Sequence, residues 1–191
     1  MYNILYVHGY GGHENGSSSQ LIKKMLIDRG IDVNIYAPHI SLDNPEKALK
    51  EIRDASSGMD LVIASSMGAL LSMMSTDNRK LLINPAFPKD IEAIDSNYSK
   101  DNLNFLQKKL DILLNNIDYE DKFFMYFLFG EKDTVAKNFD VIASRYMSSH
   151  IFKCDFGHSI DESVGDTIAN IVKTIIEDKK YKFTFYPYID A

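Results

Sequence analysis

Short apolar runs alternate along this chain with longer segments of helical periodicity, and that alternation constrains the fold more than any other feature. The runs fall at Asn3–Val7, Asp32–Tyr36, Leu61–Ala64, Leu81–Asn84, Phe123–Phe129 and Ile151–Cys154. The helical patterns fall at Ser18–Arg29, Pro45–Ala55, Met67–Ser75, Ala136–Met147 and Asp161–Glu177. Strands separated by helices cannot pair as hairpins, so they build βαβ units and a parallel sheet. The expectation is an α/β fold with a doubly wound, mostly parallel six-stranded sheet, helices on both faces and right-handed crossovers. A length of 191 residues suits one domain, 1–191, large enough to bury a core without staples.

Boundary chemistry agrees with this layout. Gly30 follows Asp28-Arg29 as a helix end would, and Asn44-Pro45-Glu46 reads as a helix start with proline in the first turn. One segment breaks the alternation. Residues 86–122 exceed what one crossover needs, and Leu103, Leu106, Leu110, Leu113, Leu114 and Ile117 fall on one helical face within them. The segment reads either as a crossover helix with a long lead-in or as a small helical cap over a site. The aromatic tail, 181–191, reads either as an edge strand or as a surface for a neighbouring subunit.

Charge narrows the function classes. A net charge of −6 without a basic cluster argues against a protein that tracks nucleic-acid phosphates. Cys154 is the only cysteine, so no intrachain disulfide forms. The chain opens on Ile4-Leu5-Tyr6-Val7, without a basic segment followed by a long apolar one, and no stretch is apolar enough to span a bilayer. A soluble cytoplasmic protein without a membrane span is expected.

The chemistry centres on Leu61-Val62-Ile63-Ala64-Ser65-Ser66-Met67-Gly68-Ala69-Leu70-Leu71. An apolar run halts at two serines, a glycine follows, and a small-residue helix pattern begins. This is how a strand, a sharp turn and a helix read when the turn presents one hydroxyl near helix N-terminal amides. An ordinary N-cap serine is the plainer alternative. The stretch resembles the nucleophile elbow of the α/β-hydrolases, G-x-S-x-G, with Ser66 as nucleophile and Ala64 in place of the first glycine.

A serine nucleophile needs a base, and the base an orienting carboxylate. His158 lies in Asp155-Phe156-Gly157-His158-Ser159, the loop after the last strand, at the carboxyl edge where Ser66 also falls. Phe127-Leu128-Phe129-Gly130-Glu131-Lys132-Asp133 runs an apolar strand into charges at that same edge. Asp133 resembles the triad acid of the pattern G-x-x-D-x-x-V, with Glu131 as its rival. The order Ser66, Asp133, His158 is the α/β-hydrolase order. The opening Val7-His8-Gly9-Tyr10-Gly11-Gly12 looks like the His-Gly loop of hydrolases. That resemblance implies an oxyanion hole built from the backbone amides of Tyr10 and Met67. A phosphate-cradling loop is the competing reading, but neither G-x-x-x-x-G-K-[ST] nor G-x-G-x-x-G is present. His8 is expected to hold the loop, His13 and His39 to be exposed loop histidines or, alternatively, to rim the pocket, His150 to begin a strand and Cys154 to fill core. No metal-ligand spacing is evident, and no cofactor is expected.

The resemblance extends from Ile4 to about Ile176. It is nearest to the small YqiA-like (UPF0227) esterases within the α/β-hydrolase superfamily, through Ile4-Leu5-Tyr6-Val7-His8-Gly9, Ser65-Ser66-Met67-Gly68-Ala69, Leu82-Ile83-Asn84-Pro85-Ala86, Phe129-Gly130-Glu131-Lys132-Asp133 and Gly157-His158. It implies a three-layer hydrolase fold lacking the two leading strands, and esterase activity on short acyl esters or thioesters. The expected function is a serine esterase or thioesterase acting on a small-molecule acyl ester through an acyl-enzyme. The alternatives are a non-catalytic hydrolase-like scaffold that binds a partner or small ligand, and a hydrolase of peptides or carbon–carbon bonds.

Overall fold

The computed structural model describes residues 1–75, 77–117 and 119–180. Six strands form one sheet in the order β2-β1-β3-β4-β5-β6: β1 (Tyr2–Val7), β2 (Val33–Tyr36), β3 (Leu61–Ser65), β4 (Lys80–Ile83), β5 (Met125–Gly130) and β6 (Ile151–Cys154). Every pairing is parallel. The register sets Val7 beside Ala64, Ala64 beside Leu82, Ile83 beside Leu128 and Gly130 beside Cys154.

Helices α1 (Ser17–Asp28), α2 (Pro45–Ser56), α3 (Ser66–Ser75), α4 (Pro88–Ile94), α5 (Lys100–Asn115), α6 (Tyr119–Phe124), α7 (Phe139–Ala143) and α8 (Gly165–Lys180) connect and follow the strands. The central strands are apolar without interruption because both faces are covered. Side-chain alternation then divides the core in two. Leu5, Val7, Val62, Ala64, Leu82 and Phe127 meet α2, α3, α5 and α7 on one face. Ile4, Tyr6, Leu61, Ile63, Leu81, Ile83 and Leu128 meet α1 and α8 on the other.

Local chemistry sets the helix ends. The Asn44 carboxamide oxygen accepts the Lys47 amide at the start of α2, with Pro45 in its first turn. Beyond α1, Gly30 takes φ +75° and lets the chain reverse into β2.

Three of the expected elements differ from the sequence reading by two residues or more. Phe123 and Phe124 end α6, so β5 starts at Met125 rather than Phe123. The helix expected over Ala136–Met147 shrinks to Phe139–Ala143. Residues ahead of it are committed elsewhere: the Asp133 carboxylate binds the Val135 and Ala136 amides, and the buried Asn138 side chain reaches Pro85 and Asp90. The last helix opens with a separate 3-10 turn, Glu162–Val164, before α8. The aromatic tail, 181–191, lies outside the described residues.

Segment 86–122 contributes α4, α5 and part of α6, and α5 packs on α2 and α3. No described helix is long and apolar enough to cross a membrane.

Candidate active site

The chain leaves β1 outward to β2 and returns on the other side of β1 as β3. This reversal of winding opens a crevice at the carboxyl ends of β1 and β3, the general location for sites in open α/β sheets. Ser66 stands in it, one residue past β3, with φ +53°. A left-handed serine backbone is strained by about 1–3 kcal/mol and persists only where its surroundings enforce it. Here close packing enforces it. A Cβ on Gly68 would stand 2.3 Å from the His8 carbonyl oxygen, and one on Gly9 would stand 2.9 Å from Ser66 Cβ. Helix α3 therefore presses directly on the end of β1, and Ser66 takes the bend between. Its carbonyl accepts the Ala86 amide at 3.2 Å.

The Ser66 hydroxyl lies 2.9 Å from His158 Nε2, and His158 Nδ1 lies 2.9 Å from Asp133 Oδ2. The other Asp133 oxygen accepts the Val135 and Ala136 amides at 2.7 and 3.1 Å. Burial pushes the Asp133 carboxyl up, but the His158 hydrogen bond and the Val135 amide outweigh it and hold the group below its usual range. An ionised Asp133 only accepts, so His158 Nδ1 donates to it and Nε2 faces the serine hydroxyl as acceptor. The carboxylate beside His158 is thus that of Asp133; Glu131 is exposed, and its backbone amide binds the Cys154 carbonyl.

One further residue ties these loops together. Asn84 is fully buried at φ +45° just past β4. Its Oδ1 accepts the Gly130 amide at 2.7 Å, and its Nδ2 donates to the carbonyls of Gly157 and His158 at 2.9 and 3.1 Å. It joins the loop that carries Asp133 to the loop that carries His158. In the sequence Asn84-Pro85 signals only a strand end, because the partners lie 46, 73 and 74 residues away.

The loop after β1 curls between Gly9 and Gly12, where the Gly12 amide binds the Gly9 carbonyl. His8 is buried; its Nε2 receives the Ile40 amide, so its Nδ1 donates to the Gly9 carbonyl. Burial pushes its imidazole below the usual range, the Gly9 carbonyl opposes that shift, and His39 and His13 add to it. The Tyr10 phenol donates to Asp95 at 2.7 Å, which links this loop to segment 86–122. The Tyr10 amide has no hydrogen-bond partner among the described residues. Met67 is the second residue of α3, where an amide has no acceptor within the helix.

The remaining candidates sit apart from Ser66. His13 is exposed, the His39 ring is 6.4 Å from that of His8, and His150 ends a 3-10 turn stacked on Tyr126. Cys154 ends β6 and donates to Thr167. Among the described residues, no three His, Cys, Asp or Glu side chains gather as metal ligands would.

A cavity of about 160 Å³ opens beside Ser66, walled by the β1 loop, by Tyr6, Ser18 and Ser65, and by His158, Ser159 and Ile160. Tyr6 and Ser65 hydroxyls are 2.9 Å apart. A larger depression of about 850 Å³ lies near Arg53, Met73 and Asp77, at the opposite end of α3, and among its described lining residues there is no nucleophile–base pair.

Solved structures share this architecture. An α/β-hydrolase enzyme from the sediment metagenome of the Mar Chica lagoon, Morocco, superposes with a TM-score of 0.67 at 12% identity over 94% of this chain and 92% of that one. The chain has the α/β-hydrolase fold. The esterase domain of a Rhodothermus marinus protein matches with a TM-score of 0.62 at 14% identity, covering 91% of this chain and 86% of its own. A Paleococcus ferrophilus monoacylglycerol lipase matches at 0.57 and 14%, covering 92% and 94%. No protein-family model matches the chain, and no curated protein matches it in sequence. At such identities the likeness speaks to fold, and the chemistry rests on the site.

Proposed function

We propose that this chain is a serine hydrolase that cleaves carboxylic esters or thioesters through an acyl-enzyme on Ser66. The observation that carries this reading is the unbroken hydrogen-bonded series from the Ser66 hydroxyl through His158 to Asp133, anchored on a strained turn. In the proposed cycle His158 Nε2 takes the hydroxyl proton as Oγ bonds to the substrate carbonyl carbon. Asp133 holds the imidazole in place and stabilises its cation. The amides of Tyr10 and Met67 receive the developing oxyanion. The tetrahedral adduct then collapses, the ester C–O or thioester C–S bond breaks, and His158 returns its proton to the leaving atom. Water, deprotonated by the same imidazole, attacks the acyl-enzyme, releasing the carboxylic acid and restoring Ser66. The strand end Asn84-Pro85-Ala86, shared in resemblance with the YqiA-like esterases, supports the same reading.

Hydrolysis of p-nitrophenyl butyrate tests it. Ser66→Ala is expected to lower kcat/KM by at least about a thousandfold, and a fluorophosphonate probe is expected to add its mass at Ser66 alone. An unchanged rate in Ser66→Ala would refute the assignment to Ser66, and no turnover with an unlabelled Ser66 would leave a non-catalytic scaffold.

A further inference from the structure

The cavity beside Ser66 has a chemical character of its own. One wall continues from His158 through Ser159 and Ile160. In the proposed reaction His158 hands its proton to the leaving atom, so the leaving group departs on the His158 side of the reacting carbon. The cavity on that side is therefore the place for the alcohol part of an ester. Elsewhere on the lining, the half-buried Ser65 hydroxyl meets the Tyr6 hydroxyl at 2.9 Å. Tyr6 is itself 2% exposed, and the Ser18 side chain also approaches its hydroxyl. Burial raises the Tyr6 pKa and keeps the phenol neutral, with the Ser65 and Ser18 side chains opposing the shift.

Each of these three hydroxyls offers one donor and two acceptor lone pairs. The Tyr6–Ser65 bond uses one hydrogen, leaving two hydrogens and several lone pairs to face a ligand. Such a cluster suits a group that both donates and accepts, which is a hydroxyl. Among the described residues, no lysine, arginine or carboxylate lines the cavity, so it offers no such partner to a phosphate, a carboxylate or an ammonium. Among those residues Ile160 is the single aliphatic side chain, a poor lining for an alkyl chain. A space of about 160 Å³ is room for a small alcohol moiety rather than a long chain.

We propose that the cavity bounded by Ser65, Tyr6, Ser18 and Ser159 is a subsite for a small polyol, and that the substrate is an ester of such a hydroxylated alcohol. The proposal rests on the serine-hydrolase reading and adds the leaving group to it. Ser65 presents the contact to the ligand, and Tyr6 fixes the direction of its hydroxyl.

Two acetates of nearly the same shape provide the test. 2-Hydroxyethyl acetate and propyl acetate differ by a hydroxyl in place of a terminal methyl on the alcohol. Their hydrolysis is followed by titration of released acid, each kcat/KM being divided by the ester's hydroxide-catalysed rate constant. The wild type is expected to prefer the hydroxyethyl ester by about tenfold or more, since a site built for a hydroxyl leaves polar groups unpaired when the hydroxyl is missing. Ser65→Ala and Tyr6→Phe are each expected to reduce that preference to about twofold or less. Labelled Ser66 with equal use of both esters, with no turnover of the hydroxyethyl ester, or with a preference that survives both substitutions overturns the subsite alone. Failure of fluorophosphonate labelling together with no turnover of either acetate overturns the reaction and the subsite with it.

Discussion

At the scale of single residues, Asn84 and His8 show how buried polar groups position a site. Asn84 satisfies one backbone donor and two backbone acceptors on two loops. Asn84→Ala leaves those groups without their partner, and leaving even one buried polar group unpaired costs about 1–3 kcal/mol. Urea unfolding is expected to register a loss of at least that size. Because the carboxamide also sets where the His158 loop sits, kcat on p-nitrophenyl butyrate is expected to fall about tenfold with little change in KM. His8 acts through protonation. Burial, its leading influence, keeps the folded imidazole below its usual range, whereas the unfolded chain protonates near pH ~6.5. The unfolded state therefore binds a proton first as pH falls. The His8 contribution to stability is complete above about pH 6.5 and is lost progressively below it, down to the depressed folded pKa. Urea midpoints at pH 7.5 and 5.5 are expected to differ more in the wild type than in His8→Asn; equal slopes would show that His8 does not carry that dependence.

At the scale of elements, the sharpest constraint is where α3 meets the end of β1. A Cβ at Gly68 would collide with two carbonyl oxygens, those of His8 at 2.3 Å and Val7 at 2.7 Å, and backbone on both sides cannot move aside. Gly68→Ala is expected to destabilise by more than about 3 kcal/mol. Gly58→Ala, in open space at φ +75°, meets only the left-handed penalty of about 1–2 kcal/mol. Thermal unfolding of the two variants makes the comparison, and equal Tm losses would mean that α3 does not press on β1. Local pattern carried much of this architecture into the sequence. Leu61-Val62-Ile63-Ala64 reads as a buried strand, Asn44-Pro45 as a helix start, and Ser66-Met67-Gly68 as the turn between strand and helix. Where local pattern failed, a tertiary contact had taken over. Phe123 and Phe124 have strand-like side chains yet close α6, and Asn138, spent on Pro85 and Asp90, delays α7 to Phe139. The carbonyl-holding role of Asn84 and the pairing of Tyr6 with Ser65 were illegible for a related reason: neither leaves a trace in spacing along the chain.

At the scale of the whole molecule, one sheet serves two cores. Neighbouring residues Leu81 and Leu82 point to opposite faces, and both are fully buried. Each substitution to alanine is expected to cost about 2–5 kcal/mol. Because the strands are common to both cores, each variant is expected to unfold in a single transition, with circular dichroism and tyrosine fluorescence coinciding. Separated transitions would mean that the two helical layers melt independently. The candidate chemical groups hang from loops at the strand tips, while the apolar mass that holds the strands lies beneath them. Framework and chemistry thus draw mostly on different residues, with Tyr6 and Ser65, strand residues that also line the cavity, shared between them. Substitutions in the rim loops can revise what is bound or cut without disturbing the beams below, and elsewhere in the beams substitutions need only preserve bulk and greasiness. That division lets chains 12–14% identical to this one keep the same outline: shape tolerates a wide change of spelling.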